Sequence, residues 1–396
     1  MNSKERVHAA LRREPVDRVP VFMWFHPDTA ARLGQVLEIP AGCVAEVMGN
    51  DVRQTWVSNN HAMEGITHEH DGESHVDDWG IEWVKVGPFN QIRRSPLEDA
   101  SEAEIADFTH PYDRMGSLLA NMDPVVEDAD DWFIGCDVSP CLFEMVSRVR
   151  GMEQATMDLA DGPGVADRML DDAEAFAIEV SKKACDRFPL DWLWTGDDVA
   201  GQQAMVMSPA CWREKIRPRL ERIFEVGKSR DLWVAYHCCG ALRPIIPDLV
   251  EIGMDVLNPV QCNCPGMDPG ELKREFGRDL AFMGGVDTQG LLPNGTADEV
   301  RRGAERLVET MSSDGGGFIL AASHAVPPEA PMENVFAMYE AIGLGKEEIL
   351  DRAADIRSRD RKSQTTKAAP GQARGRLRAR RGARGEAEHP LRSERR

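Results

Sequence analysis

Short apolar runs bounded by turn signals recur along this chain, and between them apolar positions return at every third or fourth residue. The runs lie at residues 19–24, 132–138, 191–195, 232–237, 255–259, 280–284 and 318–321. Their length and their content of β-branched and aromatic residues predict buried strands. The intervening spacing predicts crossover helices: Ser208 and Pro209 offer a cap and a first-turn proline ahead of Trp212, Ile216, Leu220 and Ile223 at helical intervals. Thr296 followed by Glu299 forms a capping box, and the glycines at 315–317 stop that helix before the next strand. Strands alternating with helices build a parallel sheet. The expected architecture is therefore an α/β fold, a (β/α)8 barrel in one domain over residues 1–345. Seven strands are visible. An eighth falls between residues 40 and 100, where the pattern is least regular and residues 79–86 read as a hairpin within an irregular N-terminal insertion.

In such a barrel the loops after the strands converge over the mouth, so polar residues at strand ends are candidates for chemistry. Five successive strands end in them: Asp197 and Asp198, then His237 and Cys239, then Asn258 and Gln261, then Asp287, then His324. Any one of these could cap a turn or sit satisfied in the core. As a ring they exceed what packing requires. The segment His237, Cys238, Cys239, Gly240 is the most concentrated part: on an extended strand end His237 and Cys239 face one side while Cys238 faces the other. Imidazole and thiolate are ligands zinc favours, and a catalytic site needs three protein ligands and an open position. His324 is the expected third ligand, with Cys262 and Cys264 as rivals. His61, His68, His70 and His75 cluster in the insertion and read as solvated loop residues.

Charge and cysteine content narrow the picture. The nine cysteines are an odd number in a chain of 396 residues, too large to need disulfides, so free thiols are expected. No run of about 18 apolar residues occurs, and the start is charged rather than an apolar leader, so a cytoplasmic protein without a membrane span is expected. The net charge of −20 conceals a basic end: residues 361–396 carry about +9, leaving about −29 on the rest. The acidic body disfavours nucleic acid except through that tail. Residues 346–396 are expected to form a basic, disordered tail.

Several stretches together resemble the uroporphyrinogen decarboxylase superfamily, in particular its methyltransferase branch of methylcobamide:coenzyme M methyltransferases and corrinoid-dependent O-demethylases. They are residues 6–21, Gly49 to Asp51, 143–153, 195–202, 237–240, 258–261, 284–287 and 324–337, within a span of 3–345. The resemblance implies a (β/α)8 TIM barrel, zinc held by His237, Cys239 and a distant cysteine, and transfer of a methyl group between a small donor or thiol acceptor and a corrinoid. The distant cysteine is replaced here by His324, and one thiolate with two imidazoles would leave zinc at about +1, a stronger Lewis acid. That favours an aryl methyl ether as donor over a thiol acceptor. No Asp-x-His-x-x-Gly segment for gripping cobalamin is present, so the corrinoid is expected on a partner protein. The resemblance further implies Asp51, Asp197 and Asp198 as catalytic acids and Asn50, Gln202, Asn258, Gln261 and Asp287 as substrate contacts, with Asp51 matching a family acid that faces pyrrole nitrogens. Two other readings remain: uroporphyrinogen decarboxylation, although residues 22–28 lack the arginine that a substrate with eight carboxylates would need, and non-catalytic binding of a corrinoid partner.

Overall fold

The computed structural model describes residues 1–58, 61–62, 68–161 and 164–368, with side chains to residue 359. Its strands are β1 (Val52–Trp56), β2 (Ser74–Val76), β3 (Glu82–Val86), β4 (Phe89–Arg94), β5 (Phe133–Asp137), β6 (Trp192–Gly196), β7 (Trp233–His237), β8 (Val256–Val260), β9 (Ala281–Val286) and β10 (Phe318–Ala322). Seven of them pair in parallel in the order β1-β5-β6-β7-β8-β9-β10. Helices connect them, so the sheet curls into an α/β barrel-like fold. Strands β5, β6, β8, β9 and β10 are buried at every residue, as expected for parallel strands covered on both faces.

The predicted strand at 19–24 is reduced to two isolated bridges, Val21 with Leu320 and Phe25 with Val326. Its backbone nevertheless links the two edges of the sheet: Phe22 N donates to Leu320 O at 3.1 Å, and Asp51 N, just before β1, donates to Val21 O at 2.8 Å. A regular ladder is interrupted because Pro20 has no N–H and because Met23 pairs with a side chain instead of a strand. Met23 N donates to Asn50 Oδ1 (2.9 Å) and Asn50 Nδ2 donates to Met23 O (2.8 Å). The strand expected between residues 40 and 100 is β1. The hairpin expected at 79–86 is part of a three-stranded antiparallel sheet, β2-β3-β4.

Side chains fill the barrel interior. Val52, Phe133, Trp192, Trp194, Ala235, Val256, Ala281, Met283, Ile319 and Ala321 form one buried cluster, with Val7 and Leu11 of helix Ser3–Leu11 joining it from the end where the strands begin. Trp192 occupies the space a side chain on Gly135 would need, since a Cβ there would lie 2.1 Å from Trp192 Nε1. That indole N–H donates to Gln54 Oε1 at 2.7 Å, so its burial leaves no unmet donor.

The crossover helices carry the predicted caps. Ser208 accepts from Cys211 N, and Thr296 and Glu299 form the capping box of helix Ala297–Met311. Trp212, Ile216, Leu220 and Ile223 are fully buried, but the helix they predict is divided at Ile216 into Pro209–Lys215 and Arg217–Lys228 by Pro218. Past the expected boundary at 345, helix Lys346–Ala368 continues the chain, with Ile349 and Ala353 buried. Residues 369–396 of the expected tail lie outside the described residues. No described helix is long and apolar enough to cross a membrane.

Candidate active site

Residues at the strand ends, together with others before and within β1 and before β5, enclose a cavity of about 660 Å³. Phe22, Trp24, Trp56, Phe89 and Trp194 give it aromatic walls, and Asp198, Glu144, His237, Asn258 and His324 line it with polar groups. The indoles of Trp24 and Trp56 have centroids 4.7 Å apart, and Trp24 lies 5.3 Å from the His324 ring.

The polar wall is built by neighbouring strand ends. His237 ends β7, and its Nδ1 lies 2.7 Å from Asn258 Oδ1 on the adjacent β8. An amide oxygen only accepts, so His237 Nδ1 carries the proton and Nε2 presents its lone pair. Cys239 Sγ lies 3.5 Å from that Nε2. Asp198 follows β6, on the other side of β7, and its Oδ1 accepts from Cys239 N at 2.8 Å and lies 4.0 Å from His237 Nε2. Glu144, on helix Phe143–Arg150, holds this loop: its Oε2 accepts from Asp198 N (3.2 Å), and its Oε1 accepts from Arg148 Nη2 (2.6 Å). Asp198 opens onto the cavity but is otherwise enclosed, and burial followed by the Glu144 carboxylate pushes its carboxyl up to about 6. Burial likewise pushes the Cys239 thiol well up.

Among the described residues, Asp198, His237 and Cys239 form the one group of three metal-ligating side chains whose donor atoms all lie within 4.8 Å of one another. A carboxylate, an imidazole and a thiol suit zinc. The expected third ligand, His324, is not in the group. It follows β10, three strands from β7, and lies against Trp24, where burial lowers its imidazole to about 4. Nor do the rivals join: Cys262 Sγ donates to Gly285 O (3.4 Å) and Cys264 Sγ to Gln202 Oε1 (3.6 Å). With Asp198 as third ligand the protein charges would neutralise Zn²⁺, as two thiolates and an imidazole do.

The other predicted residues divide between wall and scaffold. Asn50 and Asn258 line the cavity. Gln261 Oε1 accepts from Gly240 N (2.7 Å) and its Nε2 donates to Gln202 Oε1 (2.9 Å), so both glutamines tie loops together behind the metal-ligating group. Asp287 caps a turn, accepting from the backbone of Gln289, Gly290 and Leu291. Asp197 is fully buried behind the wall, where Oδ1 accepts from Glu144 N at 2.6 Å, Oδ2 has no hydrogen-bond partner among the described residues, and burial pushes the carboxyl up to about 8. Asp51 stands at the opposite end of the barrel, before β1, and accepts from Arg6, Arg18, Ser3 and Val21 N. A facing role toward a bound ring is incompatible with that enclosure. Glu144, absent from the expected set, is the residue that joins Asp197, Asp198 and Arg148. Its signal was Arg148 four residues on, at ion-pairing distance on a helix.

Gly240 fixes the end of the segment. Its φ is +94°, and a Cβ there would lie 2.4 Å from Gly201 O, so the backbone of the two loops is in direct contact.

A parallel barrel-like sheet with a ligand-gathering corner at its strand ends defines an α/β-barrel protein with a strand-end site. The chain belongs to the uroporphyrinogen decarboxylase (URO-D) family, whose profile matches residues 110–343, more than half of the sequence. Over 170 residues it is 24% identical to a methylcobamide:CoM methyltransferase, MtaA, of Methanosarcina barkeri, covering 42% of this chain and 47% of that one. Over 142 residues it is 30% identical to a uroporphyrinogen decarboxylase of Thermus thermophilus, covering 34% and 37%. The matched stretches thus span less than half of either relative. A solved methyltransferase from Methanosarcina mazei shares the fold at a TM-score of 0.65 and 19% identity, over 87% of this chain and 98% of its own.

Proposed function

We propose that this chain moves a methyl group between a small donor and a corrinoid carried by a partner protein, and that the aromatic cavity walls, rather than the charge of the His237 corner, favour an aryl methyl ether as the donor. The observation that carries the reading is the group of Asp198, His237 and Cys239 in the wall of an aromatic cavity. These three residues would hold zinc, which when bound supplies a Lewis-acidic centre able to polarise a donor oxygen or to favour the thiolate of an acceptor. Asn258 orients His237 through Nδ1, and Glu144 holds the loop that presents Asp198. Phe22, Trp24, Trp56 and Trp194 offer flat apolar surface to an aromatic ring. The named activity of the Methanosarcina barkeri relative supports methyl transfer involving a cobamide.

Decarboxylation of a polycarboxylate is less well served. The arginines of the cavity wall, Arg53 and Arg148, are engaged by Glu46 and Glu144. The test compares two assays on the purified protein: methyl-cobalamin with thiols, and aryl methyl ethers with reduced corrinoid. Turnover of the ethers is expected. Turnover of thiols alone overturns the donor assignment, and turnover of neither overturns methyl transfer.

A further inference from the structure

The insertion holds a second concentration of ligating groups that the cavity does not use. His75 lies on β2, and its ring is flanked by two other imidazoles: His75 Nε2 is 3.0 Å from His61 Nδ1, and His75 Nδ1 is 2.9 Å from His68 Nε2. The expectation of solvated loop histidines fails for these three, which are half-buried, and holds for His70, which is exposed. The His61 ring stacks on Trp83 at 6.1 Å and 22°. Beyond His68, the Glu73 carboxylate lies 3.8 Å from Nδ1.

This order matches the way proteins hold a transition metal through imidazole. A ligating histidine turns one nitrogen to the ion and gives the N–H of the other to a partner, which fixes the ring and its tautomer. Here the facing nitrogens of His61 and His75 form the inner pair and His68 backs His75, while the Glu73 carboxylate, taken up by the N–H groups of Glu69 and His70, stays at ion-pair distance from His68. Zinc–nitrogen bonds of about 2.0–2.1 Å in tetrahedral geometry separate two nitrogens by roughly 3.4 Å. The inner pair would need to part by only a few tenths of an ångström. The rings must also be neutral to ligate. Burial lowers both His61 and His75, and for His75 the neighbouring imidazoles add to it. The surrounding charges are mixed: Asp77 and Asp78 act on His61 against Arg148, and Lys85 Nζ donates to His68 O at 2.6 Å.

We infer that His61 and His75 form a second metal site, for zinc or a similar imidazole-seeking divalent ion, with His68 as its outer partner. Its place suggests a structural role. Asn90 N donates to Ala62 O and Asn90 Nδ2 to His61 O, while Ala62 and Phe89 line the large cavity. An ion between His61 and His75 would therefore pin the segment at 61–62 to the three-stranded sheet and fix one wall of the cavity. This inference does not depend on the reading of the His237 corner.

The experiment is zinc titration by calorimetry, with metal analysis, on the full chain. In a His237→Ala, Cys239→Ala chain one equivalent of Zn²⁺ is expected to bind still. Adding His61→Gln and His75→Gln should abolish it, and His68→Gln alone on that background should weaken it by about 10–100-fold. The unaltered chain should take up one equivalent more than the chain with His61→Gln and His75→Gln, whether or not the His237 corner binds zinc. No uptake by the His237→Ala, Cys239→Ala chain, or uptake that survives replacement of His61 and His75, overturns the site.

Discussion

The two ends of the barrel treat buried charge in opposite ways. Where the strands begin, the fully buried Asp51 has both oxygens met by Arg6, Arg18, Ser3 and Val21 N, at 2.7–2.9 Å. Where the strands end, Glu144 stands beside Asp197 and Asp198 and pairs with Arg148, while among the described residues Asp197 Oδ2 has no hydrogen-bond partner and neither does the buried Nε1 of Trp24 in the cavity wall. Buried atoms without a partner also occur in the helices, at Trp212 Nε1, Arg217 Nε and Tyr339 OH, but of the buried carboxylate oxygens among the described residues only Asp197 Oδ2 lacks one, and it stands beside the candidate site.

Variants can break this contrast or sharpen it. The largest effect is expected from Asp51→Ala, which takes from Arg6 and Arg18 their shared buried carboxylate and leaves Arg6 with the Asp17 carboxylate alone: a loss of about 3–5 kcal/mol in urea denaturation. A loss below about 1 kcal/mol would show that the matched end is not structural. Cys239→Ala should do the reverse, lowering zinc affinity by about 100-fold or more, with methyl transfer lost in step and unfolding changed by less than about 1 kcal/mol. Metal analysis then separates the third-ligand candidates: Asp198→Ala should weaken zinc binding by about tenfold or more, while His324→Ala retains it. Equal losses would return His324 to the ligand set.

The smallest effect concerns pH. The hydrogen bond from Arg6 holds the Asp17 carboxyl well below the usual carboxylate range. Because its folded value is depressed, the unfolded chain binds the proton first, so this stabilisation is present above about pH 4 and fades as pH falls below it. Asp17 is 44% exposed, so solvent screening keeps the effect within about 1 kcal/mol. Asp17→Asn should flatten the acid slope of stability between pH 5 and 2, and an unchanged slope would remove Asp17 from the account.

Much of the barrel was legible in the sequence because parallel strands buried on both faces read as continuous apolar runs, as at 318–321, and helix caps such as Thr296 with Glu299 are local signals. Strand β1 was not, because Val52, Arg53, Gln54, Thr55 and Trp56 mix polar and apolar residues and Gln54 spends its amide oxygen on buried Trp192. His237 and Cys239 could be paired from spacing alone, since both lie on one strand end. The third position could not: choosing Asp198 over His324 requires knowing that β6 lies beside β7 whereas β10 lies three strands away. The histidines of the insertion were visible as a cluster, but that the His75 ring lies between those of His61 and His68 was not, since that order forms only on folding.

The contact between Gly240 and Gly201 bears on how such a protein can diverge. If His237 and Cys239 hold an ion as proposed, and with Gly240 held by a neighbouring backbone, drift within this segment is confined to Cys238, whose buried thiol meets the Cys239 carbonyl. The aromatic surfaces of Phe22, Trp24, Trp56 and Phe89 come from other stretches of chain, none of which supplies a ligand to the His237 corner. A lineage could therefore exchange one substrate for another through those stretches while the reactive corner is inherited intact.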